Sequence, residues 1–293
     1  MKLQRIRRAL GRRIRRVGKL VSGITSGSGD SLPSIVWIMG CQRSGTTMLL
    51  DVFDRDLRVR AYRDVGALTT SRGAGSIRLN PLDEVEAEFR RTRSPLVVAK
   101  PLADSHRALP LLERFPGSRI IWMYRDYRSV ASSDLRYFGE RNGIRNLVPM
   151  VNAEQDNWRS SGMSDDVRAV VRQHFSQDMN PHAAAALFWF ARNALFFEQA
   201  LEANEHVFLL RYEEFVQAPD AWIRRIYDWL GQTCPGSGLV AEVHTRSLRR
   251  QRQPDLGEGV AEVCLSMQKR LEAASARIDG TEMDDSSPPD QQE

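Results

Sequence analysis

The segment Gly40-Cys41-Gln42-Arg43-Ser44-Gly45-Thr46-Thr47 has the residue types and spacing of an anion-binding loop. Loops of the form GxxxxGK[ST] cradle phosphate oxygens with backbone N–H groups, reach the β and γ phosphates with lysine and hold Mg²⁺ with Ser or Thr. Here the glycines and hydroxyls remain, and Thr46 stands where the lysine belongs. Arg43 brings into the loop a planar guanidinium fork, a group that pairs with oxyanions. The plain alternative is a tight strand-to-helix turn with chance glycines. Lys100, Arg125 and Arg211-Tyr212 each follow an apolar, strand-like run. Any one of them alone reads as a solvated charge. Four cations in register with four strand ends, counting Arg43, read as a converging anion pocket, because open α/β sheets bind ligands at the carboxyl ends of their strands.

Positioning these groups requires a sheet. The run 34–39 (Ser-Ile-Val-Trp-Ile-Met) is short, β-branched and apolar, as a buried parallel strand should be, and it feeds directly into Gly40. The residues from Thr47 to Phe53 read as a helix whose N-terminus aims N–H donors and the positive dipole end at the loop. Further strands are expected at 58–62, 96–99, 119–124 and 207–211, and helices at 46–55, 104–114, 128–138, 181–203 and 219–230. This alternation predicts an α/β, P-loop-containing three-layer fold with a central parallel sheet flanked by helices. Apolar residues crowd nearly the whole circumference of 187–196, which places that helix in the core. Residues 139–180 mix Gly, Asn, Pro and charges in irregular order, as an inserted lid or substrate loop would, or mere surface decoration.

The overall charge of +5 is misleading as an average. Residues 1–20 carry nine Lys/Arg and no acid, and residues 279–293 carry six acids and no base, so the body is left with only +2. The chain is thus not expected to bind nucleic acid. The basic segment has a helical apolar stripe (Leu3, Ile6, Leu10, Ile14, Val17). It suits peripheral contact with an anionic membrane, a partner-docking helix or a solvated extension. No secretory h-region and no run of about 20 apolar residues is present. Three cysteines (41, 234 and 264) lack metal-type spacing and cannot all pair. A reducing, cytoplasmic compartment is the expectation, and Cys41 reads as a small filler of the loop.

With these residues in view, the chain resembles the sulfotransferases that use 3′-phosphoadenosine 5′-phosphosulfate (PAPS). The resemblance rests on Gly40–Thr47, on Tyr124-Arg125-Asp126-Tyr127-Arg128-Ser129-Val130-Ala131-Ser132-Ser133, and on Leu210-Arg211-Tyr212-Glu213-Glu214-Phe215 with Ala218-Pro219 and the 226–231 stretch, in that order. It covers residues 34 to about 250 and implies a domain at 31–255 carrying the 139–180 insertion. Around it lie a basic segment and linker (1–30), a C-terminal helix (256–278) and an acidic, disordered tail (279–293). The resemblance also accounts for the missing lysine, since PAPS has no γ-phosphate and the family needs no Mg²⁺. No metal is expected.

The same resemblance assigns Arg43, Ser44, Gly45, Thr46 and Thr47 to the 5′-phosphosulfate, Arg125 and Ser133 to the 3′-phosphate, and Tyr212 to the neighbourhood of the adenine. Met48 replaces the tryptophan of the cytosolic small-molecule branch, and Pro101-Leu102 replaces that branch's histidine after Lys100. The pattern is closer to the protein-tyrosine and carbohydrate branches, where a carboxylate is the base; Asp64 aligns with it. The expected reaction is in-line sulfuryl transfer from PAPS to an acceptor hydroxyl (carbohydrate, lipid or small molecule, less readily peptidyl tyrosine), with PAP as product. Asp64 would be general base, and Arg43 and Lys100 would stabilise the transferred group. An ion pair of Asp64 with Arg60 or Arg63 is the alternative for that carboxylate, and His106 the fallback base. Two other classes stay open: a kinase with a degenerate loop, using Asp126 for Mg²⁺, and a non-catalytic anion- or membrane-binding protein.

Overall fold

The structure, a computed structural model, describes residues 32–70, 77–250 and 254–278. The basic segment and the acidic tail both lie outside the described residues. The strands are β1 (Ser34–Gly40), β2 (Val59–Tyr62), β3 (Thr69–Thr70), β4 (Arg78–Leu79), β5 (Leu96–Ala99), β6 (Arg119–Tyr124) and β7 (Val207–Arg211). The α-helices are α1 (Thr46–Phe53), α2 (Leu82–Arg91), α3 (Ala108–Arg114), α4 (Tyr127–Phe138), α5 (Asn142–Val151), α6 (Asp165–His174), α7 (Pro181–Glu198), α8 (Tyr212–Gln217), α9 (Pro219–Trp229) and α10 (Glu258–Ile278).

Five strands form one parallel sheet in the order β2-β5-β1-β6-β7, and β3 and β4 make a small antiparallel pair. The central strand shows why the fold has three layers. Alternate residues of β1 point to opposite faces, so Ile35, Trp37 and Met39 enter one buried cluster and Val36 and Ile38 the other. The first cluster is closed by α4, α7 and α10, and the second by α1, α8 and α9. Because both faces are covered, β1, β5, β6 and β7 read as near-continuous apolar runs, whereas the edge strand β2 carries the half-buried Arg60.

Helix α7 is the pillar of the larger core, buried continuously from Ala183 to Phe196. Its start is fixed by Asn180, whose side chain accepts from the His182 and Ala183 N–H groups, with Pro181 in the first turn. It stops at Glu198, short of the expected 203, where Ala200 turns to φ 48° and a 3₁₀ turn follows. Similarly, 102–107 is a 3₁₀ turn and α3 begins only at Ala108.

The segment expected to be irregular, 139–180, carries two helices, α5 and α6. Helix α5 lies very close against α7. A Cβ built on Gly143 would stand 2.6 Å from the Ala185 amide nitrogen, so only glycine permits the approach. That contact fixes the rotation of α5 and with it the placement of Asn142, Arg145 and Asn146.

Candidate active site

The loop after β1 bends through two left-handed residues, Arg43 at φ 67° and Gly45 at φ 94°. Gly45 is obligatory on two counts: its φ, and the Tyr212 ring, whose Cδ2 would lie 2.3 Å from an added Cβ. Gly45 also heads α1 with no side-chain cap and no acid in the first turn. The helix N-terminus therefore offers uncapped N–H donors and partial positive charge. Ser44 is fully buried, and its Oγ has no hydrogen-bond partner. A buried orphan hydroxyl beside uncapped donors suits an oxyanion.

Arg43 gathers a second polar cluster. Its Nε donates to Ser133 Oγ at 3.2 Å, and its carbonyl accepts from Arg125 at 3.4 Å. The Arg43 guanidinium stacks 4.2 Å over Tyr137, and burial lowers its pKa. Arg125 lies 4.3 Å over the Tyr212 ring and 3.7 Å from Glu213 Oε1. Glu213, its own pKa raised by burial, also faces Arg211 at 3.6 Å. So Arg43, Arg125, Ser133, Tyr212 and Gly45 meet as one group, with the Arg43 side chain turned toward Ser133. The spacing of Arg125 and Ser133 follows from α4, which begins at Tyr127 because Asp126 accepts from Ser129 N–H at 2.7 Å. That cap occupies Asp126, the carboxylate a kinase reading would send to Mg²⁺. Among the described residues, no group of three or more His, Cys, Asp or Glu is placed to hold a metal.

On the other side of the loop is a cavity of about 580 Å³. Gly40, Gln42, Arg43, Thr46 and Thr47 line it, as do Lys100 and Asp64. Lys100, buried at the end of β5, pairs with Asp64 through Nζ and Oδ2. Asp64 Oδ1 accepts from the Leu102 amide at 3.4 Å, and Lys100 is held by its own amide on the Tyr62 carbonyl at 3.0 Å. The alternative partners are otherwise placed: Arg63 pairs with Asp51, and Arg60 stacks 5.1 Å over Tyr62. His106 is removed from the chemistry. It is half-buried, packed against Gly162 with Nδ1 3.2 Å from the Ala103 carbonyl, and desolvation with nearby Arg192 and Arg78 lowers its pKa to about 3. Cys41 is fully buried and desolvation pushes its thiol pKa up, so it is an inert filler, and all three cysteines are unpaired.

Several residues of the site had not been singled out from sequence. Asp134, buried next to Ser133, accepts from Gln42 Nε2 at 2.8 Å and from Asn142 Nδ2 at 2.9 Å, tying the loop to α4 and α5. Arg192 of α7 is buried and donates to the carbonyls of Trp158 and Leu102 at 3.1 and 2.9 Å. Desolvation lowers its pKa to about 10. Arg145, Asn146 and Arg159 also line the cavity, as do the exposed apolar residues Val65, Tyr137 and Phe138.

Residues 33–256 match the family model described as the sulfotransferase domain, and the chain belongs to that family. No curated relative matches it in sequence. Among solved structures it is similar to the sulfotransferase domain from the curacin biosynthetic pathway, at 16% identity and TM-score 0.51, over 81% of this chain and 98% of that one. A sulfotransferase from Alicyclobacillus acidocaldarius is similar at 14% identity and TM-score 0.46, over 85% of this chain and 96% of that one. Mouse sulfotransferase SULT7A1, complexed with PAP, is similar at 14% identity and TM-score 0.43, over 85% of this chain and 86% of that one. The first of these likenesses agrees with the α/β sheet architecture described above.

Proposed function

We propose that the protein transfers a sulfuryl group from PAPS to the hydroxyl of an acceptor. The observation that carries the reading is the placement of a carboxylate and a lysine, Asp64 and Lys100, in the cavity that the glycine loop also lines. The 5′-phosphosulfate would lie on the loop, held by the amides of Ser44 to Thr47, by the orphan Ser44 hydroxyl and by Thr46 and Thr47. The 3′-phosphate would bind Arg125 and Ser133, with Tyr212 beside the adenine. Arg43, hydrogen-bonded to Ser133 and lining the cavity, would bridge the two anionic ends.

In this mechanism the acceptor oxygen attacks sulfur in line. The bond from sulfur to the 5′-phosphate oxygen breaks, and PAP leaves. The acceptor proton passes to Asp64. Lys100, which faces Asp64 in the ion pair, would turn to the oxygen on which charge develops, leaving the carboxylate free as base. Little covalent chemistry is asked of the protein, and positioning together with charge stabilisation supplies the rate. The acceptor hydroxyl would be carried by a carbohydrate, lipid or small molecule.

The test is thermal unfolding with PAP against ATP plus Mg²⁺. Stabilisation by PAP alone is the expected result, and selective stabilisation by ATP-Mg²⁺ would replace this reading with phosphoryl transfer.

A further inference from the structure

The cations gathered around the loop are not held alike. Lys100 pairs with Asp64, Arg125 lies 3.7 Å from Glu213, and Arg211 lies 3.6 Å from Glu213 and 2.9 Å from Glu272 of α10. Arg43 makes no ion pair among the described residues. The acid whose charge reaches it is Asp134, and that carboxylate is taken by Gln42 of the loop and Asn142 of α5. Arg125 and Arg136 oppose the charge of Arg43, as does its burial.

What Arg43 touches instead is one face of α4. Ser133 and Tyr137 are four residues apart and share that face, and Arg43 spans both. Its Nε donates to Ser133 Oγ at 3.2 Å, and its guanidinium carbon stands 4.2 Å from the centroid of the Tyr137 ring. Phe138 lies 5.9 Å from the same carbon and packs edge-on against Tyr137, with centroids 4.7 Å apart and ring planes at 82°. Tyr137 is 67% exposed, so it contributes little to the core, and its ring contacts are with Arg43 and Phe138.

A carboxylate would hold Arg43 and also cancel its charge. A ring face holds a guanidinium through its quadrupole and leaves the charge available to a third group. The backbone is committed to the same placement: Arg43 has φ 67°, a conformation that is costly outside glycine and persists where the surroundings over-determine it. Ser133 is set up in a matching way. A guanidinium only donates, so Ser133 Oγ accepts from Arg43, and the hydroxyl proton is left to be donated to an anion.

We propose that Tyr137 is a positioning residue for the donor: its ring, braced by Phe138, holds the Arg43 guanidinium beside the loop with its charge uncancelled, so that Arg43 and Ser133 meet the anionic groups of PAPS together. The inference rests on the sulfuryl-transfer reading, and it adds a residue that belongs neither to the glycine loop nor to the stretch from Tyr124 to Ser133.

The test is calorimetric binding of PAP, with no acceptor present, to the parent, Tyr137→Leu, Tyr137→Phe, Arg43→Gln and the Arg43→Gln/Tyr137→Leu double variant. Leucine keeps apolar bulk and helix propensity at an exposed site, so Tm should stay at the parent value. Tyr137→Leu should weaken PAP about three- to thirtyfold, the span of a cation–π contact from exposed to desolvated sites. Tyr137→Phe, which keeps the ring face, should stay within about twofold of the parent. In the Arg43→Gln background the leucine should have no further effect, because the cation it acts through is gone. Equal losses in Tyr137→Leu and Tyr137→Phe, or a loss from leucine that is the same with and without Arg43, overturn the role. A parent that does not bind PAP overturns the donor reading and this proposal together, whereas a parent that binds PAP and is matched by Tyr137→Leu overturns this proposal alone.

Discussion

The proposed donor half and the proposed acceptor half of the cavity are built on different principles. Donor-side groups sit on strand ends and on a loop whose backbone is dictated atom by atom: Gly45 has a left-handed φ and a ring against its Cα, and Lys100 is anchored to β2 by its own amide. Acceptor-side groups sit on α5 and on the 152–164 connection, held by packing on α7 and by side-chain bonds such as Arg159 to Asn146. Binding a constant phosphosulfate favours rigid main-chain donors, whereas a helix face can change its residues without disturbing the sheet. The contrast implies that donor-side substitutions should damage catalysis or folding outright, and acceptor-side substitutions should change which molecule is accepted.

The largest effect is expected where the halves meet. Asp64→Asn should lower kcat by roughly 10²-fold or more with PAP affinity retained, measured by labelled transfer and calorimetry; near-normal turnover would remove Asp64 from the mechanism. Arg125→Gln should weaken PAP roughly tenfold to a hundredfold by loss of a charged hydrogen-bond donor, and unchanged PAP affinity would place the 3′-phosphate elsewhere. Gly45→Ala should cost about 1–3 kcal/mol of stability, from the positive φ and the clash with Tyr212, read as a lower Tm. An equally stable variant would mean that the loop tolerates rearrangement and that the proposed rigidity of the donor half is overstated.

The effect that is smallest at neutral pH concerns a titration. His106 has its pKa depressed from 6.5 to about 3 by burial and neighbouring arginines. Between those values the unfolded chain binds the proton and the folded chain does not, so this residue makes stability fall as pH drops from about 6.5 toward 3. His106→Asn should flatten that part of a plot of Tm against pH. A slope identical to the parent would show that His106 titrates freely.

How much of this could be read from residues alone follows the same division. The strands other than β2 were legible because burial on both faces writes them as apolar runs, and the loop because few sequences satisfy its backbone. The boundaries of α7 and α3 were blurred by 3₁₀ turns, which use the same residue types. Helix α5 escaped notice because Gly143 and Pro149 argue against a helix locally, and packing on α7 overrides that propensity. Helices α6 and α2 did carry signals: Ser164 capping Asp165-Asp166, and Asp83-Glu84 opposite Arg90-Arg91. Arg145, Arg159 and Asn146 had no such signal, since only the fold brings them to one cavity and no local pattern encodes that.

Asp134 links the loop to α5. One carboxylate holds Gln42 of the loop and Asn142 of α5, and both of those residues line the cavity. Any shift of Asn142 when the acceptor side fills is transmitted to the loop, and reciprocity requires the reverse effect to be equal in free energy. The two ligands would then bind as a coupled pair. The order in which they add, and the extent to which excess of one slows release of the other, would be set by a side chain that touches neither.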